Sequence, residues 1–169
     1  MSIRKENIPV ISEIEFACRY TKAKLIGITG TNGKTTSALL TYHLLSKGGI
    51  HVGLAGNVGD SFAKKVAEES HDHYVLELSS FQLDGMLRAR INIGVLLNIT
   101  PDHLNWYDHD MERYVSSKFR ITRNMRSTDT LIFNAGDDMI KSHLGTVRTS
   151  AEQVGFGLAS SEGGTAYAN

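Results

Sequence analysis

Short apolar runs alternate along the chain with segments whose apolar residues recur three and four positions apart. The runs predict strands, and the periodic segments predict helices. The predicted strands are residues 24–29, 51–55, 74–78, 91–98 and 130–134. The predicted helices are residues 35–47, 60–70, 110–124 and 137–144, after a short first helix that begins with the capping-box pair Ser12 and Glu15. This alternation predicts an α/β fold, with a mostly parallel sheet covered by helices on both faces.

Composition narrows the class of protein further. The chain has 169 residues, 41% hydrophobic and 21% charged, which suits one globular domain with a sizeable core. Its 18 Lys and Arg residues balance 18 Asp and Glu residues, so net charge gives no reason to expect nucleic acid or an anionic membrane as the main partner. A single cysteine cannot form an internal disulfide. No signal-peptide core and no apolar run of the ~20 residues needed to span a membrane is present, which predicts a cytoplasmic protein.

The most informative segment is a glycine-rich loop between the first predicted strand and the helix that follows. It reads Gly27-Ile28-Thr29-Gly30-Thr31-Asn32-Gly33-Lys34-Thr35-Thr36. In such loops backbone N–H groups surround phosphate oxygens, the helix N-terminus adds its positive dipole end, a lysine supplies a cation and a hydroxyl ligates Mg²⁺. Lys34 and Thr35 occupy the last two of these positions. The general spacing would place a glycine at Ile28, where this chain departs from the pattern.

Two more predicted strands end in residues that could serve such a loop. Glu77 ends an apolar strand, and Asp102 and His103 follow the next one. Because neighbouring parallel strands end on one edge of a sheet, all three would lie near the loop, with Glu77 as a candidate Mg²⁺ ligand. A strand-end glutamate is commonly a solvated residue, and a loop histidine is commonly a surface residue. Spacing alone therefore leaves both interpretations open for these side chains.

A lysine lies within the apolar stripe of the helix predicted at residues 110–124. The stripe follows the spacing of a buried helix face and consists of Met111, Tyr114, Val115, Lys118, Phe119 and Thr122. The stem of Lys118 could reach water, which is the common outcome. A lysine directed into the interior needs an anionic partner, a lowered pKa or a modification that changes its charge.

Taken together, these motifs resemble the Mur ligase family, the ATP-dependent enzymes that add amino acids to the cytoplasmic peptidoglycan precursor. Residues 30–36 match the family's loop, G-T-[ND]-G-K-T-[ST], which accounts for the departure at Ile28. Residues 56–59, 98–104 and 117–120 agree with the family as well. Residues 76–83, LELSSFQL, are similar to the branch that adds D-glutamate. The resemblance extends from about Pro9 to Gly157.

The resemblance implies roles for individual residues. The ATP loop would consist of Gly30, Thr31, Asn32, Gly33, Lys34, Thr35 and Thr36. Lys34 would bind the β- and γ-phosphates, and Thr35 with Glu77 would hold one Mg²⁺. The lysine at position 118 is carbamylated in the family, so Lys118 would hold a second Mg²⁺ with Glu77 and His103. Asn57, Ser79 and His103 would contact the muramoyl substrate, and Lys34, Lys118 and His103 would be the catalytic residues.

The implied reaction begins with transfer of the ATP γ-phosphoryl group to the carboxylate of UDP-N-acetylmuramoyl-L-alanine. The amine of D-glutamate would then attack the acyl phosphate. The enzyme is expected to be monomeric. Such ligases have three domains, so residues 1–8 are expected to be a linker remnant and residues 9–157 a central ATPase domain, incomplete at its C-terminus. Residues 158–169 are expected to be a loop or truncated tail. Such a truncated piece is expected to be inactive.

Three alternatives stay open from the sequence. Another amino-acid-adding Mur-type ligase shares the ATP loop, as does a folylpolyglutamate-type ligase, and residues 79–82 are what separate these from the D-glutamate branch. A P-loop regulatory module would bind nucleotide with no dependence on a muramoyl substrate. A GTPase is disfavoured because the chain has no Asn-Lys-x-Asp motif for reading guanine.

Overall fold

The computed structural model describes residues 8–158 and 166–167, which form a seven-stranded sheet. The strands are β1 Lys24–Thr29, β2 Val52–Gly56, β3 His73–Glu77, β4 Ile93–Leu96, β5 Thr130–Asn134, β6 Glu152–Gly157 and β7 Ala166–Tyr167. Their order in the sheet is β2-β3-β1-β4-β5-β6-β7, and every neighbouring pair is parallel. The predicted α/β fold with a parallel sheet is confirmed.

Six helices connect or precede these strands. They are α1 Glu13–Ala17, α2 Lys34–Lys47, α3 Phe62–Glu68, α4 Ser80–Asp84, α5 Met111–Phe119 and α6 Asp138–Leu144. Five of them begin with a serine or aspartate whose side chain accepts a first-turn N–H. Helix α2 instead begins at Gly33, in the left-handed conformation and with no side-chain cap. None of the helices in the described part of the chain is long and apolar enough to cross a bilayer.

Two hydrophobic clusters lie on opposite faces of the sheet. Residues alternate between faces along a strand, so Leu25 joins the larger cluster and Ile26 the smaller one. The larger cluster contains residues of α1, α3, α4, α5 and α6, whereas Ala38 of α2 packs into the smaller one. Helices therefore cover both faces, as predicted. The face covered by five helices has the larger cluster of buried residues, whereas α2 on the other face contributes one buried residue, Ala38.

The structure departs from the predicted elements in four places. The strand predicted at residues 91–98 is shorter, and the helix predicted at residues 110–124 ends at Phe119 and continues as a 3₁₀ turn, Arg120–Thr122. Helix α4 and strand β6 were not predicted. The sequence of β6 has two glycines and no strong alternation, and it is a strand because β5 supplies a parallel partner.

The sequence also predicted a linker remnant at the start of the chain and a loop or tail at its end. Ala166–Tyr167 lie within the predicted loop or tail and pair with β6. The rest of that predicted tail beyond Leu158 lies outside the described residues, as do residues 1–7 of the predicted linker remnant.

Glu15 anchors α1 to the segment that leads into β4. Ser12 caps the helix as predicted, because its Oγ accepts from the Glu15 N–H at 3.3 Å. The Glu15 carboxylate does not complete the capping box. Instead its Oε2 accepts from the N–H groups of Leu87, Arg88 and Ala89 at 3.0, 2.9 and 2.7 Å. Burial raises the pKa of this carboxyl, but the three backbone hydrogen bonds outweigh burial and hold its pKa below the usual value.

Replacing Glu15 with glutamine should destabilise the protein in a pH-dependent way. The folded-state pKa lies below the unfolded value of 4.5. The stability that the carboxylate contributes is therefore fully present above pH 4.5 and is lost as the pH falls through the folded-state pKa. Glu15→Gln should lower the free energy of unfolding at pH 7 by about 1–3 kcal/mol, the range for hydrogen bonds to a charged group. Urea titrations at several pH values check whether the difference from wild type narrows at acidic pH.

Glu68→Gln, on the exposed end of α3, is the matched control and should behave as wild type at each pH. A Glu15→Gln effect that is equally large at pH 7 and in acid would contradict the role of the ionised carboxylate.

Candidate active site

The phosphate-type loop connects the inner strand β1 to α2. The first helical bond of α2 runs from the Ser37 N–H to the Gly33 carbonyl at 3.0 Å, so the N–H groups of the first turn have no partner within the helix. Gly33 has φ = 82°, a conformation that glycine adopts at little cost. Because no side chain caps this end, the helix N-terminus is left open to an anion.

Asn98 holds the loop in place from the end of β4. Its Oδ1 accepts from the N–H groups of Thr31 and Asn32 at 3.1 and 2.8 Å, and its Nδ2 donates to the Asn32 carbonyl at 3.0 Å. The Thr31 hydroxyl adds a donated bond to the Thr100 carbonyl and lies 3.2 Å from the Tyr114 hydroxyl. Two segments distant in sequence, residues 98–100 and helix α5, therefore fix the path of the loop backbone.

Two lysines donate to the same backbone oxygen of the loop. Lys34 Nζ lies 3.0 Å from the Gly30 carbonyl oxygen and 2.7 Å from that of Thr31, and Lys118 Nζ lies 2.8 Å from that of Gly30. Lys118 is only 2% exposed, and its Nζ is 4.7 Å from the centre of the Tyr114 ring. Burial, followed by the nearby charge of Lys34, lowers the pKa of Lys118 to about 7.

Glu77 is buried at the end of β3 and is held by neutral donors. The Thr35 hydroxyl donates to its Oε2 and the Asn57 amide to its Oε1, both at 2.8 Å. The carboxylate is 2% exposed, and no Lys, Arg or His among residues 8–158 forms an ion pair with it. Gly56, with φ = 107°, brings the end of β2 close enough that a Cβ there would collide with the Glu77 carbonyl oxygen. A buried carboxylate without a cationic partner is suited to a metal cation.

The predicted residues converge on a cavity of about 160 Å³. It is lined by Lys34, Asn57, Ser79, Ser80, Phe81, Asp102, His103, Tyr114 and Lys118. Five of these residues have predicted roles, namely Lys34, Asn57, Ser79, His103 and Lys118, and they come from five separate segments of the chain. Glu77 is joined to the cavity through its bond with Asn57. The structure thus brings the predicted side chains together, while their individual roles stay predictions.

Two predicted residues have distinctive surroundings. Ser79 is the N-cap of α4 and exchanges hydrogen bonds with Gln82 in a capping box, so its hydroxyl is already engaged. His103 has φ = 51°, its side chain is 55% exposed, and its Nε2 lies 3.5 Å from Asp102 Oδ2. His103 is therefore the more accessible of the two.

Sequence reasoning missed two residues that shape the site. Asn98 was part of a motif without an assigned role, and the structure makes it the main side-chain support of the loop. Tyr114 was counted only as part of an apolar stripe, yet it lines the cavity and lies under Lys118. A polar residue directly after a buried strand was the available signal for Asn98. No local pattern distinguishes Tyr114 from an ordinary core residue.

Removing the Lys118 amine should change how stability depends on pH. The folded-state pKa of about 7 lies below the ordinary 10.5, so between these values the unfolded chain binds more protons and the free energy of unfolding rises with pH. Lys118→Met should lack this rise. Between pH 7 and pH 10 the free energy of unfolding of wild type should therefore increase by on the order of a few kcal/mol relative to that of the variant. Urea titrations in CO₂-free buffer measure this difference.

Lys22→Met is the control, because Lys22 is exposed on the opposite edge of the sheet. Its free energy of unfolding should differ from that of wild type by the same amount at each pH. Parallel pH dependence of wild type and Lys118→Met would show that the buried amine does not lose its proton in this range.

Comparison with known proteins gives a consistent result. The family model of the Mur ligase middle domain matches residues 28–168. The UDP-N-acetylmuramoylalanine–D-glutamate ligase of Bacteroides fragilis is 53% identical over 167 residues, which are 99% of this chain and 38% of that protein. The enzyme of the same name from Porphyromonas gingivalis is 55% identical over 139 residues, 82% of this chain and 31% of that protein.

Among solved structures, MurF ligase from Thermotoga maritima in complex with ADP superposes with a TM-score of 0.68 at 19% identity, covering 86% of this chain and 36% of that one. At this identity the likeness concerns the fold. The matched part of the chain thus spans between 31% and 38% of the length of these proteins. Because the family model matches most of its residues, the chain belongs to the Mur ligase middle domain family.

Proposed function

We propose that this chain is the ATP-binding middle part of a ligase that adds D-glutamate to UDP-N-acetylmuramoyl-L-alanine. The observation that carries the proposal is the 160 Å³ cavity, where the loop lysine, the buried Lys118 and the predicted substrate residues meet. Identity above 50% to ligases with that name supports the choice of D-glutamate. Residues 9–157 keep their proposed assignment to the central ATPase domain, and residues 166–167 join its sheet as strand β7.

ATP would place its phosphates at the open N-terminus of α2. The unpaired N–H groups of the first turn would bind phosphate oxygens, together with the backbone of residues 30–36. Lys34 now donates to two loop carbonyls and is only half-buried, so its ammonium can turn to the β- and γ-phosphates without leaving the site. Asn98 would keep the loop backbone in position while Lys34 leaves the loop carbonyls and binds the phosphates.

The donors around Glu77 fit Mg²⁺. The Thr35 hydroxyl and the Glu77 carboxylate are already in contact, and both are the hard oxygen donors that Mg²⁺ prefers. No group of three or more His, Cys, Asp or Glu side chains in the described ranges could hold a metal by itself. Mg²⁺ commonly binds through one or two protein oxygens plus substrate phosphates, which is the arrangement available here. When bound, the metal would neutralise charge on the transferring phosphoryl group.

Lys118 fits the proposed carbamate. A carbamate forms when a neutral amine attacks CO₂, making an N–C bond and releasing one proton. The buried Lys118 amine loses its proton near neutral pH and lines the cavity. Its product is an anion with two oxygens, which would take part in holding a second Mg²⁺ with Glu77 and His103.

The proposed reaction has two steps. The substrate carboxylate attacks the γ-phosphorus, so that one P–O bond forms as the bond to ADP breaks. The amine of D-glutamate then attacks the acyl carbon, forming a C–N bond and releasing phosphate and a proton. Lys34 would stabilise the negative charge of the transferring group, and Asn57, Ser79 and His103 would position the muramoyl substrate beside it. We further propose a cytoplasmic, monomeric enzyme with no nucleic-acid or membrane partner.

Activity of the full-length protein tests the proposal. Phosphate release from ATP should require both UDP-N-acetylmuramoyl-L-alanine and D-glutamate, and L-lysine or diaminopimelate should not replace D-glutamate. Lys118→Ala and Glu77→Gln should each lower kcat/KM on the order of 100-fold or more, because each removes a proposed anionic ligand of the Mg²⁺ that would neutralise the developing negative charge. Lys22→Ala, on the far edge of the sheet, is the matched control and should retain wild-type activity.

Dependence on CO₂ separates the carbamate from an ordinary lysine. Wild type should lose activity in CO₂-depleted buffer and regain it with bicarbonate, whereas the residual activity of Lys118→Ala should be insensitive to both. Wild-type activity in Lys118→Ala would contradict the assignment of this residue. Nucleotide hydrolysis or tight binding that is independent of any muramoyl substrate would favour the regulatory module instead, and acceptance of another amino acid would favour a different ligase.

A further inference from the structure

Two large aromatic side chains are exposed directly beside the cavity. Phe81 is 44% exposed and Trp106 is 72% exposed, and their rings contact each other edge to face with centroids 5.8 Å apart. Large apolar side chains that remain exposed next to a polar cavity are a common mark of a ligand-binding surface. We call this pair the aromatic rim.

The aromatic rim is held by buried neighbours. Phe81 stacks on Tyr107 with an interplanar angle of 12° and a centroid distance of 6.0 Å. Tyr107 is only 8% exposed, and its hydroxyl lies 3.1 Å from Asp84 Oδ2 and 3.2 Å from Ser117 Oγ. Trp106 ends a 3₁₀ turn, and its N–H donates to the His103 carbonyl at 2.9 Å. A ligand that packs against the rim therefore meets rings whose backbone and underlying neighbours are already ordered.

The rim continues the substrate side of the cavity. Phe81 lines the cavity itself, and its ring lies 5.7 Å from that of His103, one of the proposed substrate contacts. The phosphate loop contributes Lys34 to the same cavity from α2. A cavity of about 160 Å³ is smaller than the roughly 300–1,000 Å³ of sites that enclose a whole small ligand. It has room for the reacting groups, and the rest of a nucleotide-linked sugar must extend over its edge.

We propose that the aromatic rim, and Trp106 in particular, binds the C–H face of the muramoyl sugar ring of the substrate. A pyranose ring presents axial C–H groups on one face, and these pack on aromatic rings while the hydroxyl and amide groups at its edge stay hydrated. The sugar is joined to the reacting carboxylate by only a short acyl chain, so it must lie close to the cavity that holds that carboxylate. The inference rests on the proposed function and adds a specificity-determining residue to it.

Fluorescence tests the contact directly, because Trp106 is the single tryptophan of these 169 residues. The emission of Trp106 is isolated in the full-length protein as the difference between wild type and Trp106→Phe. UDP-N-acetylmuramoyl-L-alanine should change that emission saturably, and UDP alone or ADP should not. A response to ADP would assign the rim to adenine and overturn the proposal, as would an unchanged emission when calorimetry shows that the muramoyl substrate binds.

Kinetics give a second, independent readout. Trp106→Ala should raise KM for the muramoyl substrate about 10-fold, the effect of losing one to two kcal/mol of aromatic packing, while KM for ATP and for D-glutamate stays within twofold. Trp106→Phe should recover most of the loss. Phe16→Ala removes an aromatic ring on α1 that is 47% exposed and does not line the cavity, and it should leave all three constants unchanged.

The outcomes distinguish this inference from the proposed function. If wild type uses the muramoyl substrate and Trp106→Ala keeps its KM, the rim is not a sugar contact and the proposed function stands. If wild type has no activity with any muramoyl substrate, both fail. Thermal unfolding of Trp106→Ala identifies a folding defect, and in that case Phe81→Leu, which keeps an apolar side chain, should show the same selective rise in KM.

Discussion

Neutral hydrogen-bond partners keep the opposite charges of the candidate site apart. Glu77 is held by a hydroxyl and an amide, and the two lysines are held by backbone carbonyls. A direct ion pair between Lys34 and Glu77 would satisfy both groups and leave less free energy for a ligand. The arrangement instead leaves a carboxylate in need of a cation and two amines directed at a loop that can bind anions. The proposed magnesium–phosphate ligand would satisfy both requirements at once.

Close packing under β1 makes this arrangement possible. Gly27 lies in the middle of β1, where an added Cβ would be 2.9 Å from Leu78 Cδ1 and 3.3 Å from Ile121 Cδ1. The missing side chain lets the 3₁₀ turn that ends α5 approach the strand. Helix α5 in turn carries Lys118 to within hydrogen-bond distance of the Gly30 carbonyl. The position of the Lys118 amine thus depends on a glycine three residues before the loop it contacts.

Elements with a strong hydrophobic pattern of their own could be predicted from the sequence. Strand β1, helix α2 and strand β5 have strong apolar patterns, and their predicted bounds agree with the structure within one residue. Helix α4 has five residues and strand β6 has two glycines, so neither carries a pattern strong enough to predict. Both exist because neighbouring elements complete them: a capping box begins α4, and β6 pairs with β5.

The same division applies to the site. The loop, Glu77 and His103 could be predicted because parallel strands end on one edge of a sheet. The Glu15 carboxylate could not be placed, since its three N–H donors are more than 70 residues away in sequence. The capping-box pattern offered a local partner, and a tertiary interaction displaced it. Asn98 is a similar case, because its function depends on a loop 66 residues earlier in the chain.

Lysine at position 118 has a physical advantage over a carboxylate in the proposed function. A glutamate there would place a carboxylate in a region with little solvent whether or not a metal is bound. The Lys118 amine can be neutral near pH 7, so the metal-free site avoids a second uncompensated charge. Conversion to a carbamate would supply the anion, and a bound cation would stabilise that form. The charge at this position would then follow the occupancy of the site, which no genetically encoded carboxylate could achieve.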